Sequence, residues 1–327
     1  MILAGDVGGT KTNLAVFDAR LRPVLSGTFS SSERGGLGEI VREFVADAGR
    51  GFDRACFGVA GPVIDGRSRI TNLPWVVDAK ALAAELGIAA VWLLNDLEAT
   101  AYGIAALKEE ELVVLSAGAP GARGNAAIIA AGTGLGEAGM YWDGSGHRPF
   151  ACEGGHGDFS PRDDLEIELL RYLRARMVRV GWERILSGPG LHRIYEFLRD
   201  TGRGEEPAWL VERLRVEDPT AAISGAALEG TSPLCSKALD LFVSLYGAEA
   251  GNLALKVMAT GGVYVGGGIA PRILERLRGP LFMDAFTAKE PMRDLVASIP
   301  VRVILNDRCA LLGAARYARR TRAHSGA

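Results

Sequence analysis

The chain has 327 residues, 48% hydrophobic and 23% charged, long enough for two domains with sizeable cores. A formal net charge of -2 gives no broad basic field, so nucleic acid and acidic membrane surfaces are excluded as partners and a small molecule is expected. The 4 cysteines, Cys56, Cys152, Cys235 and Cys309, have no CxxC spacing, Met1 is followed at once by strand-like sequence, and no apolar run reaches the roughly 18 residues of a membrane span, so a cytosolic protein without disulfide framework or zinc knuckle is predicted.

Glycine numbers 43 and is clustered, which marks places where backbone bends tightly or approaches a ligand. Ile2 to Asp18 reads as two apolar strands across Gly8-Gly9, with Thr10 and Thr12 supplying hydroxyls. A strand follows Lys11 and Thr10 precedes it, so this is not the P-loop. A plain hairpin and an anion-cradling turn both fit. The apolar positions from Gly36 to Ala48 recur at helical spacing, Cys56 to Ala60 reads as a buried strand ending at Gly61-Pro62, and Ala79 to Leu86 as a helix. Between them Ile70 to Trp75 is a turn whose Asn72 and Trp75 suit either a polyhydroxylated ligand or an ordinary anchored loop.

Val91 to Leu94 is an uncharged apolar run, the mark of a strand buried on both faces, and it ends in Asn95-Asp96 before the helix-like Leu97 to Ala101. Open parallel sheets gather ligands beyond such strand ends, which is where Asp96 falls. The alternative is that Asp96 caps the helix. Lys108 to Glu111 reads as a solvated helix end and a crossing between domains. The opening pattern then recurs: Ala126 to Ala131 as strand, Gly132-Thr133-Gly134-Leu135-Gly136 as turn, Glu137 to Trp142 as strand. Two such units suggest a duplicated fold with a phosphate turn in each half.

Glu153 and His156 lie on a Gly-rich turn, where an acid and an imidazole suit sugar hydroxyls or a plain surface turn. Ser160, Pro161 and Asp163 fit N-cap, N1 and N3 of a helix with Leu165, Leu169, Leu170 and Leu173 as its stripe. Glu183 precedes Ser187 to Gly190 and a helix carrying Leu191, Ile194, Tyr195 and Leu198; Thr201 to Pro207 is a surface loop. Ala238 to Met258 is a long helix rich in Ala and Gly. Gly261 to Pro271 reads as a strand feeding a helix with Pro271 in its first turn, a corner able to admit a base or ribose but lacking the Rossmann Gly spacing. Val301 to Leu305 is the last strand. Ala310 to Arg320 is the last helix, with Arg316, Arg319, Arg320 and Arg322 on its solvated face and end.

Gly5-Asp6-Val7-Gly8-Gly9-Thr10, Leu94-Asn95-Asp96, Ala131 to Gly136, Glu153-Gly154-Gly155-His156, Leu186 to Gly190 and Gly266-Gly267-Gly268-Ile269 together resemble bacterial glucokinase, in order from Ile2 to about Arg316. The resemblance implies a two-domain α/β, actin-like (hexokinase-type) fold, each domain a mixed sheet flanked by helices with a cleft between. It implies a small domain of 1–106 plus 304–327, a large one of 107–303, and a cytoplasmic homodimer. By the same resemblance Asn95, Asp96, Glu153, His156 and Glu183 hold glucose, with Asp96 as base. Gly5, Asp6, Val7, Gly8, Gly9 and Thr10 with Gly132, Thr133 and Gly134 hold the phosphates of ATP, Gly266, Gly267 and Gly268 take its adenosine, and Asp6 acts near Mg²⁺. No cysteine cluster follows His156, which matches the zinc-free branch rather than the repressor-and-kinase branch. The alternatives are a kinase for another hexose or using polyphosphate, and a non-catalytic sugar-sensing regulator. Against the regulator, the sequence opens on its first strand with no helix-turn-helix ahead of it.

Overall fold

The computed structural model describes residues 1–48 and 51–321; Arg322 lies outside them. The chain divides into two compact units, one of Met1–Glu109, Arg148–Ala151 and the chain from Asn306, the other of Glu110–His147 and Cys152–Leu305.

In the first unit, β1 (Ile2–Val7) and β2 (Lys11–Phe17) pair antiparallel from Ile2↔Phe17 to Val7↔Thr12, and β3 (Pro23–Ser30) extends the meander. Helix α1 (Leu37–Ala48) buries Leu37, Ile40, Val41 and Phe44, the spacing of one helical face. Next come β4 (Arg54–Val59), the short β5 (Val63–Ile64), β6 (Arg67–Arg69) and β7 (Val76–Asp78), then α2 (Ala79–Leu86). Sequence chemistry sets both ends of α2: the Asp78 carboxylate accepts the N–H groups of Lys80 and Ala81, and Gly87 takes the left-handed conformation that stops it. β8 (Ala90–Asn95) and α3 (Asp96–Ile104) follow, and the main sheet has the order β3-β2-β1-β4-β8. β1, β4 and β8 are parallel. The last helix, Cys309–Arg320, lays Leu311, Ala314, Ala315 and Ala318 against Ala4, Cys56, Leu94 and Ala99 of this unit.

The second unit repeats the scheme. β9 (Leu112–Ser116) precedes β10 (Ala126–Ala131), which pairs antiparallel with β11 (Leu135–Trp142), and β12 (His147–Cys152), of which only His147 and Cys152 are counted in this unit, is the edge strand of the sheet. Helices α4 (Asp164–Arg174), α5 (Gly188–Asp200), α6 (Ala208–Val216), α7 (Pro219–Leu228) and α8 (Pro233–Val257) lead to β13 (Gly262–Gly266), α9 (Leu274–Leu277), α10 (Pro280–Thr287), α11 (Arg293–Ala297) and β14 (Val301–Ile304). The order is β12-β11-β10-β13-β14-β9, with β10, β13 and β14 parallel. Hairpin β10–β11 beside parallel β13 and β14 therefore matches hairpin β1–β2 beside parallel β4 and β8, as the repeated Gly-Thr pattern implies.

Three helix starts differ from expectation, each for a local reason. α4 is capped by Asp163, whose carboxylate accepts Glu166 N–H at 2.9 Å, while the buried Glu166 carboxylate accepts Arg162 N–H at 2.7 Å. Ser160 and Pro161 do not start it, because Phe159 N–H donates to Val180 O and holds the chain extended. α8 starts at Pro233, with Ser232 as cap, five residues before the apolar run suggests. Pro271 opens no helix: beyond β13 the chain turns at Gly267, and Ile269 N–H donates to Ala131 O at 3.2 Å.

Candidate active site

Register levels the strand ends of the first unit. Val7 is opposite Val59 and Val59 opposite Asn95, so the Gly8-Gly9 turn, the Ala60-Gly61 turn and Asn95-Asp96 share the carboxyl edge of β1, β4 and β8. Gly8 N–H donates to Lys11 O at 3.0 Å, Ser31 N–H to Thr10 O at 2.9 Å, and the buried hydroxyls of Thr12 and Ser31 bond at 2.9 Å. Asp6, near the end of β1, receives Asn13 Nδ2 at 3.4 Å; burial raises its pKa, opposed by that bond and by Lys11.

Asn95 resolves the question of the helix cap. Its Oδ1 accepts the N–H groups of Leu97 at 2.9 Å and Glu98 at 3.3 Å, and its Nδ2 donates to Gly61 O at 3.3 Å. Asn95 is therefore the N-cap and Asp96 the first helical residue, with one carboxylate oxygen on Leu97 N–H at 2.9 Å. These bonds take both lone pairs of the amide oxygen and one of its two N–H groups, so Asn95 retains one N–H to donate. Trp75 is an anchor and not a ligand surface: it is 4% exposed, and its indole N–H donates to Arg34 O at 3.2 Å. Asn72 is exposed, with the left-handed φ of 65°.

In the second unit Ala130 is opposite Gly266, so the Gly132-Thr133-Gly134 turn and Gly266-Gly267-Gly268 leave the sheet side by side. Gly132 N–H donates to Gly134 O and Gly188 N–H to Gly132 O, both at 2.8 Å, tying the turn to the start of α5, where Ser187 is the cap. Gly267 has φ 81°, and a Cβ there would collide with Ala131 O. Between the two strand ends sits a residue the sequence reading passed over. The buried Tyr246 hydroxyl of α8 accepts Ala131 N–H at 3.1 Å and lies 3.2 Å from Gly266 O and 3.3 Å from Ile129 O, one of which takes its proton. A tyrosine within an Ala- and Gly-rich helix was the available signal.

Glu153, His156 and Glu183, far apart in sequence, come together at the same edge. His156 Nε2 is 3.9 Å from Glu153 Oε2, its Nδ1 is 4.0 Å from Glu183 Oε1, and Glu183 Oε2 accepts Leu135 N–H at 3.2 Å. Arg179 steadies the turn by donating to His156 O at 2.9 Å. Two carboxylates flanking an imidazole supply acceptors and a donor for neighbouring hydroxyls of a polyol, and glycine backbone beside them supplies close approach for an anion.

The glucokinase family profile matches residues 3–321. The chain belongs to the glucokinase family. A glucokinase of Nostoc sp. is 41% identical, the match covering 98% of this chain and 99% of that one, and a glucokinase of Synechocystis sp. is 44% identical over 96% of each. The solved glucokinase of an Antarctic psychrotroph superimposes with a TM-score of 0.82 at 30% identity, covering 98% and 99% of the two chains. Family membership makes the chain an ATP-dependent glucose kinase with the two-domain actin-like fold.

Proposed function

We propose that Asp96 is the proton acceptor in this glucokinase reaction. The observation supporting it is the division of labour at the end of β8, where Asn95 fills the helix cap and Asp96 stands first in the helix at the carboxyl edge of parallel strands. The 6-hydroxyl oxygen of glucose bonds to the γ-phosphorus as the bond to the bridging oxygen of ADP breaks, and the hydroxyl proton passes to Asp96. Asn95, Glu153, His156 and Glu183 hold the sugar. Glycine backbone at Gly5 to Thr10 and Gly132 to Gly134 receives the phosphates, and Gly266, Gly267 and Gly268 the adenosine.

Asp6 fits a Mg²⁺ role: a carboxylate desolvated by burial gains from a cation beside it. Among the described residues no group of three His, Cys, Asp or Glu side chains forms a metal cage, so phosphate oxygens and water would complete the shell. When bound, the ion neutralises charge on the phosphates. The same reading extends to a cytoplasmic homodimer. A coupled assay for ADP tests the core of it: release should need glucose and Mg²⁺ together with ATP, and Asp96→Asn should cut kcat by roughly 10² to 10⁴. Near-normal turnover of that variant removes Asp96 from the role.

A further inference from the structure

The Glu153 to His156 segment is seated on β11, and beneath it lies a carboxyl pair with no part in the mechanism above. Alternate residues of β11 face the turn: a Cβ on Gly155 would collide with Leu135 O, and one on Gly154 with Glu137 Oε2. The strand backbone thus requires a glycine at 155, while the space beside Gly154 is filled by the Glu137 carboxyl group. Glu137 is 1% exposed, and among the described residues no N–H donates to either of its carboxyl oxygens; the polar group it faces is the carboxyl of Glu249. The second carboxyl is Glu249 of α8, wholly buried, whose Oε1 accepts Lys256 Nζ at 3.0 Å and whose Oε2 accepts Asn252 Nδ2 at 2.7 Å. Lys289, in turn, donates to Asn252 Oδ1 at 2.8 Å and Ala248 O at 2.9 Å.

The cations of this cluster therefore serve Glu249 and its neighbour, and among the described residues none pairs with Glu137. A buried carboxylate without a partner is costly, and the group keeps its proton instead. Burial first, then the charge of Glu249, push Glu137 up to about 8, with Lys256 opposing and the hydrogen bond between the two carboxyls adding to the rise. The other titratable groups around it are the Tyr246 phenol on α8 and the Cys152 thiol at the end of β12. Both are pushed up, chiefly by burial and in part by Glu137, and Glu153 also acts on Cys152.

We infer that Glu137 is a positioning residue for the sugar turn. In its neutral form it seats Gly154 on β11 and keeps Glu153 and His156 in line with Glu183; ionised, it draws in water, unseats the turn and weakens glucose binding. The inference rests on Glu153 and His156 being sugar ligands. In the wild type, KM for glucose should rise several-fold as pH climbs from 7 to 9, in KM more than in kcat. Glu137→Gln, which keeps the shape without titrating, should flatten that rise. Glu249→Gln, which removes the neighbouring charge, should move it to lower pH.

A readout independent of sugar is the Tm difference between Glu137→Gln and the wild type. The unfolded chain releases the Glu137 proton near its ordinary 4.5 and the folded chain only near 8, so folding takes up a proton between them. Wild-type stability from this group is complete below about 4.5 and is lost progressively up to about 8, so the variant's relative Tm should climb across that window and then level. A flat wild-type KM profile, an unchanged rise in Glu137→Gln, or a Tm difference independent of pH overturns the inference. Glu153→Ala separates the two readings: an unchanged glucose KM at pH 7 would sink the sugar assignment while leaving the Tm titration intact.

Discussion

The two glycine turns, Gly8 to Thr10 and Gly132 to Gly134, join equivalent strands in equivalent sheets, yet they are held in different ways. The first is held from nearby sequence, by the Thr12 to Ser31 hydroxyl pair and the bond from Ser31 N–H to Thr10 O. The second is held from far along the chain. The start of α5 bonds Gly132 O, Gly267 leaves room for Ala131 O, and Tyr246, 115 residues from Ala131, inserts a hydroxyl where the β10–β13 ladder ends. A duplicated motif can thus conserve strand order while its support passes from hydroxyls on the adjoining strand and loop to a distant helix.

Breaking the second support should have the largest effect. Gly267→Ala forces a Cβ into the left-handed region and against Ala131 O, which should cost about 3 kcal/mol of stability and raise KM for ATP, measured by urea unfolding and initial rates. Tyr246→Phe leaves the buried Ala131 N–H without its acceptor and should cost about 2 kcal/mol. It should raise KM for ATP several-fold while leaving KM for glucose in place; equal changes in both would mean the tyrosine supports the whole unit rather than its nucleotide edge. Thr12→Val, which leaves Ser31 with its backbone anchor, should cost about 1 kcal/mol by the same denaturant measurement. If Thr12→Val proves costlier than Tyr246→Phe, the contrast between local and remote support is wrong.

The legible parts of the molecule were those whose signals lie within a few residues of what they specify. The hairpins showed through strand, Gly-Thr turn, strand, and α2 through the helical run Ala79 to Leu86, because turns and short helices are set by adjoining residues; the caps that fix its ends, Asp78 and Gly87, are seen in the structure. The start of α4 was misread because Ser160 and Asp163 compete for one role, and the choice falls to Phe159 bonding Val180 and Glu166 bonding Arg162, neither visible in a window of sequence. Trp75 was open between ligand and anchor for the same reason: only its bond to Arg34 O decides. The site shows the same split. Asn95 and Asp96 showed at a strand-to-helix corner and Glu153 and His156 on a Gly-rich turn, and Glu183 came through the resemblance, but Tyr246 below the Ala131 and Gly266 strand ends and Glu137 below Gly154 sit inside a helix and a strand that read as ordinary core.

The role of Asp96 is tested most directly by measuring glucose affinity and turnover on one preparation of Asp96→Asn, using titration calorimetry and ADP release. The expected result is a glucose Kd within about tenfold of the wild type beside a kcat lower by at least about a hundredfold. Turnover that survives, or a kcat loss wholly matched by lost glucose binding, would contradict a proton-accepting Asp96.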